Sequence, residues 1–143
     1  NQIQLTLADL VVEAHDTHHP VDLTAYYDEQ KLEAARRAEG FRQARIPKFL
    51  TWAETVLERN PNGPDWMVGD RPTYGDLSLF QVVEGLAYAF PRATARALAT
   101  APRVAAVRDR VAALPRIAAY LASDRRIPFN QDGIFRRYPE LDG

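Results

Sequence analysis

Thr73 and Asp76 stand three residues apart immediately before the apolar run Leu77-Ser78-Leu79-Phe80, and this spacing constrains the chain more than any other local feature. A threonine at a helix N-cap accepts a hydrogen bond from a backbone N–H of the first turn. An acid three residues on reaches back to the N–H of the cap, so two otherwise orphaned donors are satisfied reciprocally. Such a box ahead of apolar residues predicts the start of a buried helix over about 75–88, with Leu77, Phe80, Val83 and Ala87 on its covered face and Glu84 at the rim. The role this assigns to Thr73 and Asp76 is structural capping.

Caps and breakers carry the rest of the reading, because alanine is so frequent that helix propensity is high almost everywhere. Ile3, Leu7, Leu10, Val11 and Ala14 recur at spacings of three and four, the mark of one buried helical face, and Pro20 interrupts it. A second long helix is expected over about 28–59. Its first part is polar and arginine-rich; its second part places Ile46, Phe49, Leu50, Ala53, Val56 and Leu57 on one stripe, and Pro47 should kink it by removing a backbone donor. Asn60-Pro61-Asn62-Gly63-Pro64 is a break made of turn residues. Short helices follow over about 92–99, 102–113 and 115–122, two of them opened by a proline at the tolerated first position. No segment alternates convincingly between apolar and polar residues, so no strand is expected.

The fold class is therefore all-α: two long helices, a buried central helix and short C-terminal helices. Residues 1–126 form the helical body and 127–143 an irregular aromatic tail of the same domain, carrying Phe129, Phe135 and Tyr138. A length of 143 residues with 46% hydrophobic content suits one core. The chain opens Asn1-Gln2-Ile3-Gln4-Leu5, with no Met and no capping residue ahead of an already helical pattern, and so reads as a piece of something longer.

Several function classes drop out. The absence of cysteine excludes disulfides, thiolate zinc sites and a cysteine nucleophile within this chain, and a reducing cytoplasm fits it best. No apolar run of about 18 residues is present, so no membrane partner is expected. A net charge of −1 gives no general attraction to nucleic acid. The charge is nevertheless uneven: residues 1–33 hold seven acids against one base, and 92–137 hold ten arginines against three acids. Solvated helix faces account for this, as would an acidic surface meeting a basic one.

The segment Trp66-Met67-Val68-Gly69-Asp70-Arg71-Pro72-Thr73-Tyr74-Gly75-Asp76 resembles the stretch that enters the central core helix of glutathione transferases. The likeness extends over nearly the whole chain, through the long first pair of helices, the Leu114-Pro115-x-Ile117-x-x-Tyr120-Leu121 close and the aromatic tail. Gly75 departs from the alanine usual in that family. The resemblance implies an all-helical C-terminal domain, preceded in the intact protein by a thioredoxin-like domain that binds most of glutathione and supplies the catalytic Tyr, Ser or Cys. That domain is absent from this chain, so no catalytic residue is assigned here and the isolated chain is expected to be inactive.

The parent implied is a cytoplasmic homodimer that conjugates glutathione to small hydrophobic electrophiles, a detoxification reaction, with glutathione as co-substrate and no other cofactor. A rival of a different class is a non-catalytic helical interaction module of the same fold.

The resemblance also places residues. An acid on the first helix reaches across the dimer to the γ-glutamyl ammonium, and Asp16 matches by position, with Glu13 one turn earlier; a solvent-exposed acid is the alternative. The end of that helix and the residues after it line the electrophile pocket, which assigns His15, His19 and Tyr27 to it, with Phe129 and Phe135 of the tail closing the wall. Tyr26 and Tyr27 could equally be core or interface aromatics, and the tail aromatics could simply pin the C-terminus. His15, His18, His19 and Asp16 also contain donors of the kind metals use, but a polar helix end before Pro20, with histidines favoured by the dipole, accounts for them and no metal is assigned.

Overall fold

In a computed structural model covering residues 1–143, every regular element is helical. The order is α1 (Gln2–His18), a 3-10 turn (Tyr27–Glu29), α2 (Lys31–Gly40), a π-turn (Phe41–Arg45), α3 (Ile46–Glu58), α4 (Tyr74–Ala89), α5 (Pro91–Ala99), α6 (Pro102–Ala112), α7 (Pro115–Leu121) and a 3-10 turn (Pro139–Leu141). The bundle expected from the caps and breakers is the bundle found.

Helix α4 lies at the centre, packed against α1, α5 and α6, while α3 packs on α5 and α6. Its buried residues include Leu79, Phe80, Val82, Val83, Leu86 and Ala89, a span too wide for one stripe and characteristic of an enclosed helix. Here the sequence reading needs correction: Leu77 is partly exposed and Ala87 is not fully buried, because the enclosing neighbours cover the Leu79–Val83–Leu86 side instead. A second correction concerns Asn1. Its side-chain oxygen accepts from the Gln4 N–H at 3.1 Å, so α1 does have an N-cap.

The long second helix is continuous from α2 to α3 but changes its winding ahead of Pro47. Proline has no N–H to return to the preceding turn, and the Ile46 N–H reaches five residues back to the Phe41 carbonyl, closing a π-turn. The tail is tied to the body at four points. Phe135 lies over Gly85 so closely that a Cβ there would sit 2.3 Å from the ring. Leu141 is buried, Arg42 donates to its carbonyl, and the Asp142 carboxylate accepts from the N–H groups of Arg92 (2.9 Å) and Ala93 (3.2 Å), capping α5 where Phe90 offers no side-chain acceptor.

Candidate functional site

The C-terminal end of α1 is set by its last turn. Thr17 donates its hydroxyl to the Glu13 carbonyl at 2.8 Å, and His18 turns inward, face to face with Phe90 at 5.9 Å and edge-on to Tyr138 at 5.2 Å. Neither ring nitrogen of His18 has a hydrogen-bond partner. Burial holds its pKa down to about 4, with smaller contributions from His19, Arg136 and His15, so the ring is neutral near pH 7. His19 ends the helix with its ring stacked on His15 at 5.5 Å.

Gln30 then organises the following loop. Its side-chain oxygen accepts from the N–H groups of Val21 (3.0 Å) and Asp22 (3.3 Å), and its amide donates to the carbonyls of Asp22 (2.8 Å) and Ala25 (3.2 Å). Four loop groups are thereby fixed by one buried amide, and the loop presents Tyr26 to solvent at 81% exposure. Tyr27 faces the other way. It is 7% exposed, stacks on Tyr138 at a centroid distance of 3.7 Å, and donates its hydroxyl to Glu140 at 2.7 Å. Burial, then the Glu140 contact, pushes the Tyr27 phenol well above its ordinary pKa, so it stays protonated.

Between this loop and the tail lies an open cleft of about 540 Å³, lined among others by His19, Leu23, Tyr26, Tyr27, Arg136 and Tyr138. The nearest guanidinium nitrogen of Arg136 stands 3.4 Å from His19 Nε2, and its Nε donates to the Gly133 carbonyl at 2.8 Å. Guanidinium has no acceptor atom, so in this contact His19 Nε2 accepts and the ring proton lies on Nδ1.

The structure brings His19 and Tyr27 to one cleft and separates the other residues assigned to the pocket. Phe129 lines a different cavity, about 240 Å³, with Leu77, Phe80, Ile117, Tyr120 and Ile127. Phe135 is 8% exposed against Gly85 and lines neither space; His15 lines neither either. Of the two acids, Glu13 is held in a two-pronged ion pair by Arg45, at 2.6 and 2.8 Å. Asp16 remains partly exposed, with His15 Nδ1 at 3.3 Å as its neighbour. No group of three or more His, Asp or Glu side chains converges as a metal would need.

Thr73 and Asp76 lie far from the cleft in role. Asp76 is fully buried; one oxygen accepts from the Met67 N–H at 2.7 Å, the other from the Thr73 N–H at 2.8 Å and the Thr73 hydroxyl at 2.9 Å, while Thr73 Oγ1 accepts from the Gly75 N–H at 3.2 Å. The carboxylate thus joins the Trp66–Met67 turn to the start of α4.

Sequence reasoning missed Arg136, Gln30 and Glu140. Arg136 is one of ten arginines in its stretch, and nothing in the sequence distinguishes it; Gln30 and Glu140 act through partners 5 to 9 and 113 residues away.

A family model described as "Glutathione S-transferase, C-terminal domain" matches residues 15–124. The chain is similar to S-crystallin SL11 of Nototodarus sloanii, 32% identical over 110 residues that cover 76% of this chain and 51% of the relative. It is also similar to Glutathione S-transferase P 1 of Xenopus laevis, 28% identical over 81 residues, covering 57% of this chain and 36% of that protein. The chain thus spans about half of the first relative and about a third of the second.

Proposed function

The chain belongs to the glutathione S-transferase C-terminal domain family, and from that premise we propose that it is the helical half of a glutathione transferase, supplying the electrophile side of the active cleft and part of the dimer surface. The observation that carries this reading is the one-sided cleft at the end of α1. Leu23, Ala25 and three tyrosines line it beside six polar or charged residues, among them His19, Asp132 and Arg136, which suits a molecule with an aromatic body and strongly polar groups, and one side stands open to water.

The hydroxyl and imidazole groups at its inner wall are already engaged. The Tyr27 hydroxyl is committed to Glu140, and His19 accepts from Arg136. Stabilising a glutathione thiolate needs a donor or positive charge held against the sulfur. By its membership of this family we assign that group to a preceding thioredoxin-like domain, and leave Arg136, the positive charge in the cleft wall, to the second substrate.

For that domain we propose an apolar face formed by α1, α4, α7 and the segment after it, where Val12, Tyr74, Leu77, Tyr120 and Ile127 are exposed and meet around Leu77. A contiguous apolar surface of this kind marks an interaction site. Of the two α1 acids matched to the family's position, Glu13 is occupied by Arg45, and Asp16, with only His15 beside it at 3.3 Å, is the one we assign to a γ-glutamyl ammonium from a second protomer. No helix is long and apolar enough to cross a membrane. The similarity to a protein named a crystallin supports the second reading, a helical module of the same fold that serves assembly rather than chemistry.

Nuclear magnetic resonance titration of the chain with 1-chloro-2,4-dinitrobenzene, paired with a conjugation assay in the presence of glutathione, tests the proposal. Shifts confined to His19, Tyr26 and their neighbours, with no turnover, are the expected result. Binding confined to the Leu77–Ile127 cavity would overturn the cleft assignment, and turnover by the purified chain would overturn the assignment of chemistry to the other domain.

A further inference from the structure

Resting on the reading of the cleft as the electrophile site, we infer that its second substrate carries an anionic group, a carboxylate on an apolar or aromatic body, and that Arg136 selects for it.

The inference starts from how the other arginines are held. Among the partly buried arginines, Arg45, Arg103 and Arg110 have a carboxylate within 3.0 Å and Arg108 is paired with Glu84, whereas Arg42 is spent on the Leu141 carbonyl and Arg126 lies over the Phe129 ring. Arg136 has no carboxylate within 4 Å, although it is partly buried in the cleft wall between the tail and the end of α1. Its two contacts, the Gly133 carbonyl and His19 Nε2, are both to neutral acceptors. A guanidinium has five N–H donors in a planar fork, so most of its hydrogen-bonding capacity is left over.

The two contacts also fix its place. Nε is tied to the backbone of its own turn, and the nearest terminal nitrogen leans on the His19 ring, which is itself held by stacking on His15. A fork fixed in this way is prepared for a planar anion at little ordering cost.

Other charges face the same space and must be set against it. Asp28 is exposed and engaged by Lys31 at 2.7 Å. Asp132 lines the cleft, exposed, with no cation within 4 Å. Burial, and after it Arg136, lowers the pKa of His19, so the ring adds no second positive charge near neutrality. Arg136 is thus the fixed positive charge in the wall, opposed by two solvated acids, one of them, Asp28, already engaged by Lys31. Above it, Leu23 at 64% exposure and Tyr26 at 81% exposure offer an apolar body for a ring to lie against.

Glutathione also carries carboxylates, and the experiment separates the two sources. The 143-residue chain is titrated with 2-naphthoate and with its neutral isostere 2-naphthamide, following the His19 and Tyr26 resonances. Naphthoate is expected to bind about tenfold more tightly, the increment of one charge-assisted pair at a partly exposed site. Arg136→Gln should bring naphthoate down to the level of naphthamide and leave naphthamide unchanged, Arg136→Lys should keep part of the preference, and Asp132→Asn should increase it.

Equal binding of the two ligands at the cleft, or an equal loss of both in Arg136→Gln, would overturn the inference and leave the cleft reading intact. Failure of both to perturb His19 and Tyr26 would overturn both. In a third arm, glutathione added in excess should leave naphthoate binding unaltered; displacement that depends on Arg136 would reassign the guanidinium to the thiol substrate and overturn the proposal.

Discussion

Asp76 and His18 are both sealed inside the bundle, and their polar atoms fare in opposite ways. Each oxygen of Asp76 accepts from a donor of the turn or cap around it, and the side chain joins two segments nine residues apart. His18 is equally enclosed, at 1% exposure, yet neither of its nitrogens is bonded. A buried polar group that is satisfied adds stability, and one that is not subtracts it; the same low-polarity surroundings strengthen the first and penalise the second. The end of α4 that Asp76 caps is a scaffold, whereas the end of α1 that carries His18 borders the cleft, where a protein tolerates an energetic defect if the position is needed.

The comparison breaks most directly at Asp76. Asp76→Ala leaves the N–H groups of Met67 and Thr73 without partners, the first of them buried. The loss of a cap together with unpaired buried donors should cost roughly 3 to 4 kcal/mol, read as a fall in the urea midpoint at constant slope. A variant as stable as the parent chain would remove Asp76 from the scaffold.

Acid should expose the opposite condition at His18. Unfolded, a histidine binds its proton below about pH 6.5. Folded His18 resists protonation until about pH 4. Its contribution is therefore present in full above about pH 6.5 and is lost as the pH falls towards 4, by an amount on the order of 3 kcal/mol. Urea midpoints measured at pH 7 and pH 4.5 for the parent chain and for His18→Phe should converge at neither pH: the parent loses more on acidification. Identical slopes with pH would show that His18 is not the buried neutral group described.

The smallest effect sharpens the contrast at neutral pH. His18→Leu exchanges two unbonded nitrogens for apolar atoms between Phe90 and Tyr138 and should stabilise the fold by about 1 kcal/mol. If it destabilises instead, the ring nitrogens of His18 have partners in solution.

Much of the fold was legible in the chain itself, and the reason is local. Helix α4 starts where a threonine and an aspartate occupy the cap and third position. The prolines at 102 and 115 each open a helix because their missing N–H is needed least there, as Pro91, expected only to precede α5, does too, and Pro47 marks the winding change because its missing N–H is needed most there. Each of these follows from groups within one turn of each other. The candidate site was much less legible. His19 and Tyr27 are assigned to the pocket by the resemblance to glutathione transferases, not by any local pattern, and which of the paired tyrosines faces solvent depends on Gln30, Tyr138 and Glu140, two of them more than 100 residues away. The tail aromatics show the same limit: Phe135 is buried because α4 has a glycine at position 85, and Phe129, six residues before it, lines a separate cavity.

The sequence by itself determined where helices begin, bend and end, because those features depend on hydrogen-bond donors and acceptors a few residues apart along the chain. Only the tertiary structure decided which face of α4 is covered, that Glu13 is taken by Arg45 while Asp16 has only its neighbour His15, and that Arg136 stands in a cleft without an acid partner. Those outcomes are set by the way distant segments pack together, and that relation is encoded in no short stretch of residues.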